Sequence, residues 1–200
     1  LGWQLGTGVK DDVVSLREGG RSAGIGEVAV AASALVHELQ KERGLSAGYI
    51  GSKGEKFREQ LEKQRRDTDG RRKAMLDVFA ARADSLPESY AQNMRKANDA
   101  MAALEGKRSE ISGLKLAGPA SFAFYTGSID NYLAAMSAVL PTIGDVGMLR
   151  SFSAYVMFLS AKEYAGRERA TVNGIFAAGQ PQTVALFQRL QSLITGQDHY

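Results

Sequence analysis

Apolar side chains recur at steps of three and four residues along most of the chain, the period that lines one face of an α-helix. No stretch alternates apolar and polar residues as a half-buried strand would, and no unit of about 20–50 residues repeats. The pattern predicts six helices, at residues 25–49, 55–83, 87–111, 119–140, 146–178 and 181–194, with a shorter helical piece at 9–17 ahead of them. Pro87, Pro119 and Pro181 stand at predicted starts, where a missing N–H is harmless because the first turn has no intrahelical partner for it. Gly179 supplies a stop for the helix before Pro181. Long helices with short connections pack side by side in alternating directions. The fold class is therefore all-α: an up-and-down antiparallel bundle of one or two four-helix-like units, occupying residues 25–200 and preceded by a helical segment at 1–24.

The apolar stripe of the first helix contains a charge. With Leu39 at its centre and about 100° per residue, Val28, Ala32, Leu35 and Val36 all lie within about 60° of it. Arg43 falls at about +40°, inside the buried sector. A guanidinium stays charged, so at such a position it must meet an anion or several acceptors. Either a protein carboxylate or a bound ligand satisfies that demand. Gly44, Ser46, Ala47 and Gly48 follow at once. Residues this small leave room for a cavity beside the arginine, or permit a tight helix crossing or a cap.

The helix predicted at 146–178 repeats the anomaly. With Leu159 at the centre, Phe152, Val156, Gly166 and Ala170 share its apolar face, and Glu163 falls among them at about +40°. Arg167 and Arg169 flank that face at about +80° and −80°. Two arrangements are open. Glu163 neutralises Arg43 or one of its own neighbours, or Arg43 and the later arginines converge on a small anion while Glu163 limits the excess positive charge.

Composition removes several classes of function. Apolar residues at 44% and charged residues at 24% are ordinary for a globular chain. A net charge of +3 without a dense basic patch speaks against a nucleic-acid surface on this domain. The absence of cysteine excludes disulfides, thiol catalysis and thiolate metal sites. His37 falls opposite the core and His199 in the tail, neither with a metal-ligand companion at suitable spacing. No serine–histidine–carboxylate set or acid pair stands out, so no catalytic residue, metal or cofactor is expected, and no enzyme. The mixed-sign run at 64–73 reads as a solvated helix face with i,i+4 pairs. Lys53, Lys56 and Arg58 read as water-facing residues near a loop. Gly127, Gly147 and the stretch 113–118 read as loops or close packing; Tyr155, Phe158 and Tyr164 read as core or cavity lining. No stretch approaches the ~18 apolar residues of a membrane span; the longest, broken only by Ser33, runs from Val28 to Val36.

Three stretches, "LVHELQKERGLSAGYIGSKG" (35–54), "QRRDTD" (64–69) and "KEYAGRERATVNGIFAAG" (162–179), together resemble the nitrate- and nitrite-sensing (NIT) domain family. The resemblance covers residues 28–194 in family order. It implies a helical-bundle sensor module of the kind found outside the membrane in chemoreceptors, histidine kinases and cyclases, and also in soluble transcription antiterminators. It further implies a ligand site built from arginines of the first long helix and of later helices. Carried onto this sequence, those are Arg43 and, from the "GRERA" segment, Arg169 with Arg167 as second choice, supported by Glu163, Gly44, Ser46 and Gly166. One departure bears on anion specificity: the family's best-known site has two adjacent arginines on the first helix, whereas Glu42 precedes Arg43 here. A further family arginine would fall beyond Tyr200. The chemistry suits the ligand, because nitrate is planar with three in-plane oxygens and guanidinium presents paired in-plane donors.

The expectation that follows is the periplasmic, ligand-binding region of a receptor in the inner membrane, a chemoreceptor first, acting as a homodimer between flanking membrane helices. "LGWQLGTG" is then the trailing edge of a membrane helix, or else a frayed amphipathic start, and further helical residues are expected after Tyr200. The alternatives are a soluble nitrate-responsive regulator with an RNA-binding output, a helical sensor for another small ligand, and a structural bundle that binds nothing.

Overall fold

Helix α1 (Gly2–Gly51) runs unbroken for 50 residues and is the axis on which three of the other helices pack. The computed structural model describes residues 2–178 and 184–197. The remaining helices are α2 (Arg58–Arg82), α3 (Glu88–Ala100), α4 (Leu104–Ser112), α5 (Gly118–Ser137), α6 (Val146–Ala178) and α7 (Val184–Gln197). Helices α2, α5 and α6 pack directly on α1; α3 packs on α5, and α7 on α6. Among the described residues there is no strand, so the all-α bundle is the observed fold.

Direction alternates along the chain, as short connections require. Side-chain contacts show α2 antiparallel to α1, with Glu38 against Gln64 near one end and Glu27 against Arg82 near the other. The order Ser33–Tyr155, His37–Lys162, Arg43–Glu163 shows that α6 runs parallel to α1. The positions that matter below therefore lie between two parallel helices of different sequence origin.

The predicted stripe is the core of α1: Val28, Ala32, Leu35, Val36 and Leu39 are all buried to 1% exposure or less. Each such side chain contributes about 1.5–3 kcal/mol when removed from water. The same core contains Met94, Met101, Leu104, Ile111, Ile129 and Met136, all at 0% exposure.

Several boundaries differ from the pattern. The predicted pieces at 9–17 and 25–49 belong to one helix that runs through Gly19, Gly20 and Gly24; each glycine weakens a helix by about 1 kcal/mol without removing a hydrogen bond. The predicted helix at 87–111 is divided into α3 and α4 by a 3-10 turn at Met101–Ala103. Helix α2 starts at Arg58 rather than 55, after Phe57 takes a left-handed φ of 70°. Pro87 and Pro119 do mark helix starts. Gly127 and Gly147 lie within α5 and α6, not in loops. The expected break at Gly179 and Pro181 and the residue His199 lie outside the described residues. Among the described residues, no helix is long and apolar enough to cross a membrane.

Candidate functional site

Arg43 points inward from α1 with its side chain at 0% exposure. Its Nη1 donates to Glu163 Oε1 at 2.5 Å and its Nη2 to Glu163 Oε2 at 3.1 Å, a two-pronged pair between α1 and α6. Nη1 also donates to Thr126 Oγ1 on α5 at 2.9 Å, and the guanidinium lies 5.1 Å from the centre of the Phe122 ring. Arg167 reaches the same carboxylate from one turn further along α6, its Nε donating to Glu163 Oε1 at 2.7 Å. Its Nη2 pairs with Asp130 on α5. Gln40 completes the set, its Nε2 donating to Glu163 Oε2 at 2.9 Å. Glu163 is 1% exposed. Two guanidinium groups thus converge on one planar carboxylate inside the bundle.

Charge compensation shows in the proton affinities. Burial works against the charge of Arg167, but hydrogen bonding and the negative charges of Glu163 and Asp130 outweigh it and raise its pKa. Burial pushes the Asp130 carboxyl up, and the Glu163 charge adds to that, while Arg167 opposes it.

Gly166 makes this approach possible. A Cβ there would lie 3.1 Å from Arg43 Nη2, so any larger residue would press on the buried guanidinium. Gly166 also faces the neighbouring surface groove, a cavity of about 710 Å³ between α1, α6 and the α1–α2 turn. Lys41, Lys56 and Arg169 give the groove its basic character, with His37 beside them, and no carboxylate is among its lining residues. Phe57 closes one end, its ring packed where a Cβ on Gly48 would sit, 2.9 Å away. Burial lowers the pKa of His37, assisted by Lys162, whose Nζ lies 3.1 Å from His37 Nδ1.

The predicted residues thus fall into three places. Arg43, Glu163 and Arg167 come together in the interior. Gly166 separates them from the groove, which Gly44 and the exposed Arg169 line. Ser46 is fully buried and faces Tyr125, away from the groove lining. Of the two arginines flanking the α6 stripe, Arg167 is the one that meets Arg43's partner, and Arg169 turns outward.

A second buried cluster escaped the sequence reading. Glu42, at 0% exposure, accepts from Arg108 Nε at 2.7 Å and Nη2 at 2.9 Å, and from the Tyr125 hydroxyl at 2.8 Å. Arg108 also pairs with Asp69 at 2.6 Å and Glu105 at 2.7 Å. Arg65 donates to the Arg108 carbonyl and to Ser112 Oγ. The run at 64–73 is consequently not a uniformly solvated face. Lys73 makes an exposed i,i+4 pair with Asp77, but Gln64 and Thr68 are buried against α1, and Asp69 and Arg65 tie α2 to α4. Phe158, read as core or cavity lining, is 66% exposed, and Tyr155 is half-buried with its hydroxyl 2.5 Å from Ser33 Oγ. Among the described residues no acidic, histidine or cysteine cluster could hold a metal ion.

Fold and site together define a helical-bundle domain built around an internal guanidinium–carboxylate seat beside a basic groove. The chain belongs to the nitrate and nitrite sensing (NIT) family, whose profile matches residues 34–200. Among solved structures it is similar to the NasR transcription antiterminator, with a TM-score of 0.86 and 23% identity over 96% of this chain. The match takes in 52% of that protein, so the chain spans about half its length. At this identity the likeness concerns the fold alone. No curated protein sequence matches the chain.

Proposed function

We propose that the chain is the extracytoplasmic sensor domain of a bacterial transmembrane receptor, a chemoreceptor before a kinase or cyclase, and that it binds nitrate or nitrite between α1 and α6. Membership of the sensing family supports the ligand class. The observation that carries the site is the convergence of Arg43 and Arg167 on one planar carboxylate, an arrangement a flat oxyanion reproduces. Arg169, at the groove, is placed to draw the anion in. Each charge-assisted hydrogen bond is worth about 1.5–3 kcal/mol. After desolvation, a total near −8 kcal/mol corresponds to micromolar affinity, suited to a reversible sensor. Binding that favours one packing of α6 on α1 over another displaces the helices relative to each other, and flanking membrane helices in a homodimer carry that displacement to the output.

Titration calorimetry of the folded domain with nitrate, nitrite, sulfate and chloride tests this. Saturable heat with nitrate and none with sulfate supports it; a folded domain silent to all four favours a structural bundle. The likeness to an antiterminator favours a second reading, a soluble regulator whose RNA-binding output lies in another domain. The residues encoded directly before Leu1 discriminate, since a membrane span there removes the second reading.

A further inference from the structure

Resting on the reading that the anion site lies at Arg43 and Arg167, we propose that Glu163 is an internal competitor for that site and that the external anion enters by exchanging with its carboxylate. Two oxygens of one planar group receive four N–H donors: Arg43 Nη1 and Arg167 Nε on Oε1, Arg43 Nη2 and Gln40 Nε2 on Oε2. Nitrate, nitrite and formate present the same flat O–X–O edge, and the Arg43 fork with the single Arg167 Nε donor cannot tell that edge from a carboxylate's.

The seat has no spare volume for an added anion. Arg43 and Glu163 are sealed to within 1% exposure, and a single Cβ on Gly166 would already crowd Arg43 Nη2. An incoming oxyanion must therefore take the place of the carboxylate rather than sit next to it. Charge balance sets the same condition. Arg43 and Arg167 face Glu163 and Asp130, so one monovalent anion replacing one carboxylate leaves the interior neutral, and simple addition would not.

The route outward is built. Gln40 both holds Oε2 and lines the basic groove, so the released carboxylate passes from one hydrogen-bonding partner to a surface that carries Arg169 and Lys41, the lysine being paired with Glu38. The site so formed selects small, flat, monovalent oxyanions. Sulfate, tetrahedral and divalent, fits neither the shape nor the charge of the exchange.

The test is calorimetric titration of the wild-type domain, Glu163→Gln and Glu163→Asp with nitrate, formate and sulfate. Removing the competitor's charge in Glu163→Gln is expected to tighten nitrate binding at least tenfold. Glu163→Asp, which keeps the charge but draws the carboxylate back by one methylene, is expected to tighten it by a smaller factor and guards against a variant that fails to fold. Nitrate binding by the wild type with no gain in a folded variant overturns the exchange and leaves the sensor reading standing. Formate taken up by Glu163→Gln while nitrate is refused by every form supports the exchange and removes the nitrate assignment. Sulfate bound as tightly as nitrate by Glu163→Gln overturns the shape selection.

Discussion

Glu42 and Arg43 are adjacent on α1, both fully buried, and they turn their opposite charges to different helices: Glu42 to Arg108 on α4, and Arg43 to Glu163 on α6. Each pair is two-pronged, and each is strengthened by a hydroxyl from α5, Tyr125 on the first and Thr126 on the second. Burying an ion is costly unless its partner is well placed, and removing one partner strands the other. Arg108→Met is therefore expected to destabilise the domain by about 3–5 kcal/mol. Adding Glu42→Leu to it is expected to restore most of that loss, because an apolar pair carries no stranded charge. Urea denaturation of the two single variants and the double variant checks this.

Arg43→Ala is expected to abolish anion binding and to lower stability by about 3 kcal/mol, the lower end for a broken buried pair, because Arg167 still faces Glu163. Arg43→Lys is expected to bind at least tenfold more weakly than the wild type, since an ammonium is a single point and cannot make two parallel in-plane bonds. A folded Arg43→Ala domain that binds nitrate normally would move the site elsewhere.

Gly166→Ala separates stability from binding. Alanine favours the helix by about 1 kcal/mol relative to glycine, while its methyl group presses on Arg43 Nη2. The two effects oppose each other, so the change in unfolding free energy is expected to stay within about 1 kcal/mol. Anion affinity is expected to fall, because the guanidinium must shift out of the plane it shares with its partner. Thermal unfolding and calorimetry on the same variant give both numbers.

His37 supplies the pH dependence. Burial, with Lys162 beside it, lowers its pKa from the ordinary value of 6.5. The unfolded chain therefore binds more protons than the folded one in the window below 6.5, and stability rises with pH there. The contribution is fully present above the unfolded value and is lost as pH falls towards the folded one. The melting temperature is expected to drop as the pH is lowered through this window. His37→Gln is expected to flatten that drop without altering the neutral-pH value much.

Much of this architecture is legible in the sequence, and the exceptions have definite causes. A helical wheel on Leu39 exposes Arg43, because one charge on an apolar face stands out. The same wheel puts Glu42 at about −60°, still within the buried sector, but its arginine lies 66 residues away on α4 and no local spacing joins them. Arg167 and Arg169 flank the α6 stripe at equal angles. What separates them is the i,i+4 pair of Arg167 with Glu163, which α6 spacing contains, and Asp130 on α5, which it does not. Gln64 and Thr68 looked solvated because charged residues surround them, yet α2 packs that edge against α1. The pieces predicted at 9–17 and 25–49 are one helix, because the apolar pattern lapses between them while the backbone hydrogen bonding does not.

The double anchoring of α1 restricts how the bundle can answer a change at Arg43. Sliding α1 along its axis to accommodate a new anion at Arg43 would tear Glu42 from Arg108 and Tyr125 in the same stroke. Helix α6 is fastened near Glu163 as well, by Arg167 to Asp130 on α5 and by Lys162 to His37 on α1. A shift at the Arg43–Glu163 pair would therefore be shared by α1, α5 and α6 together.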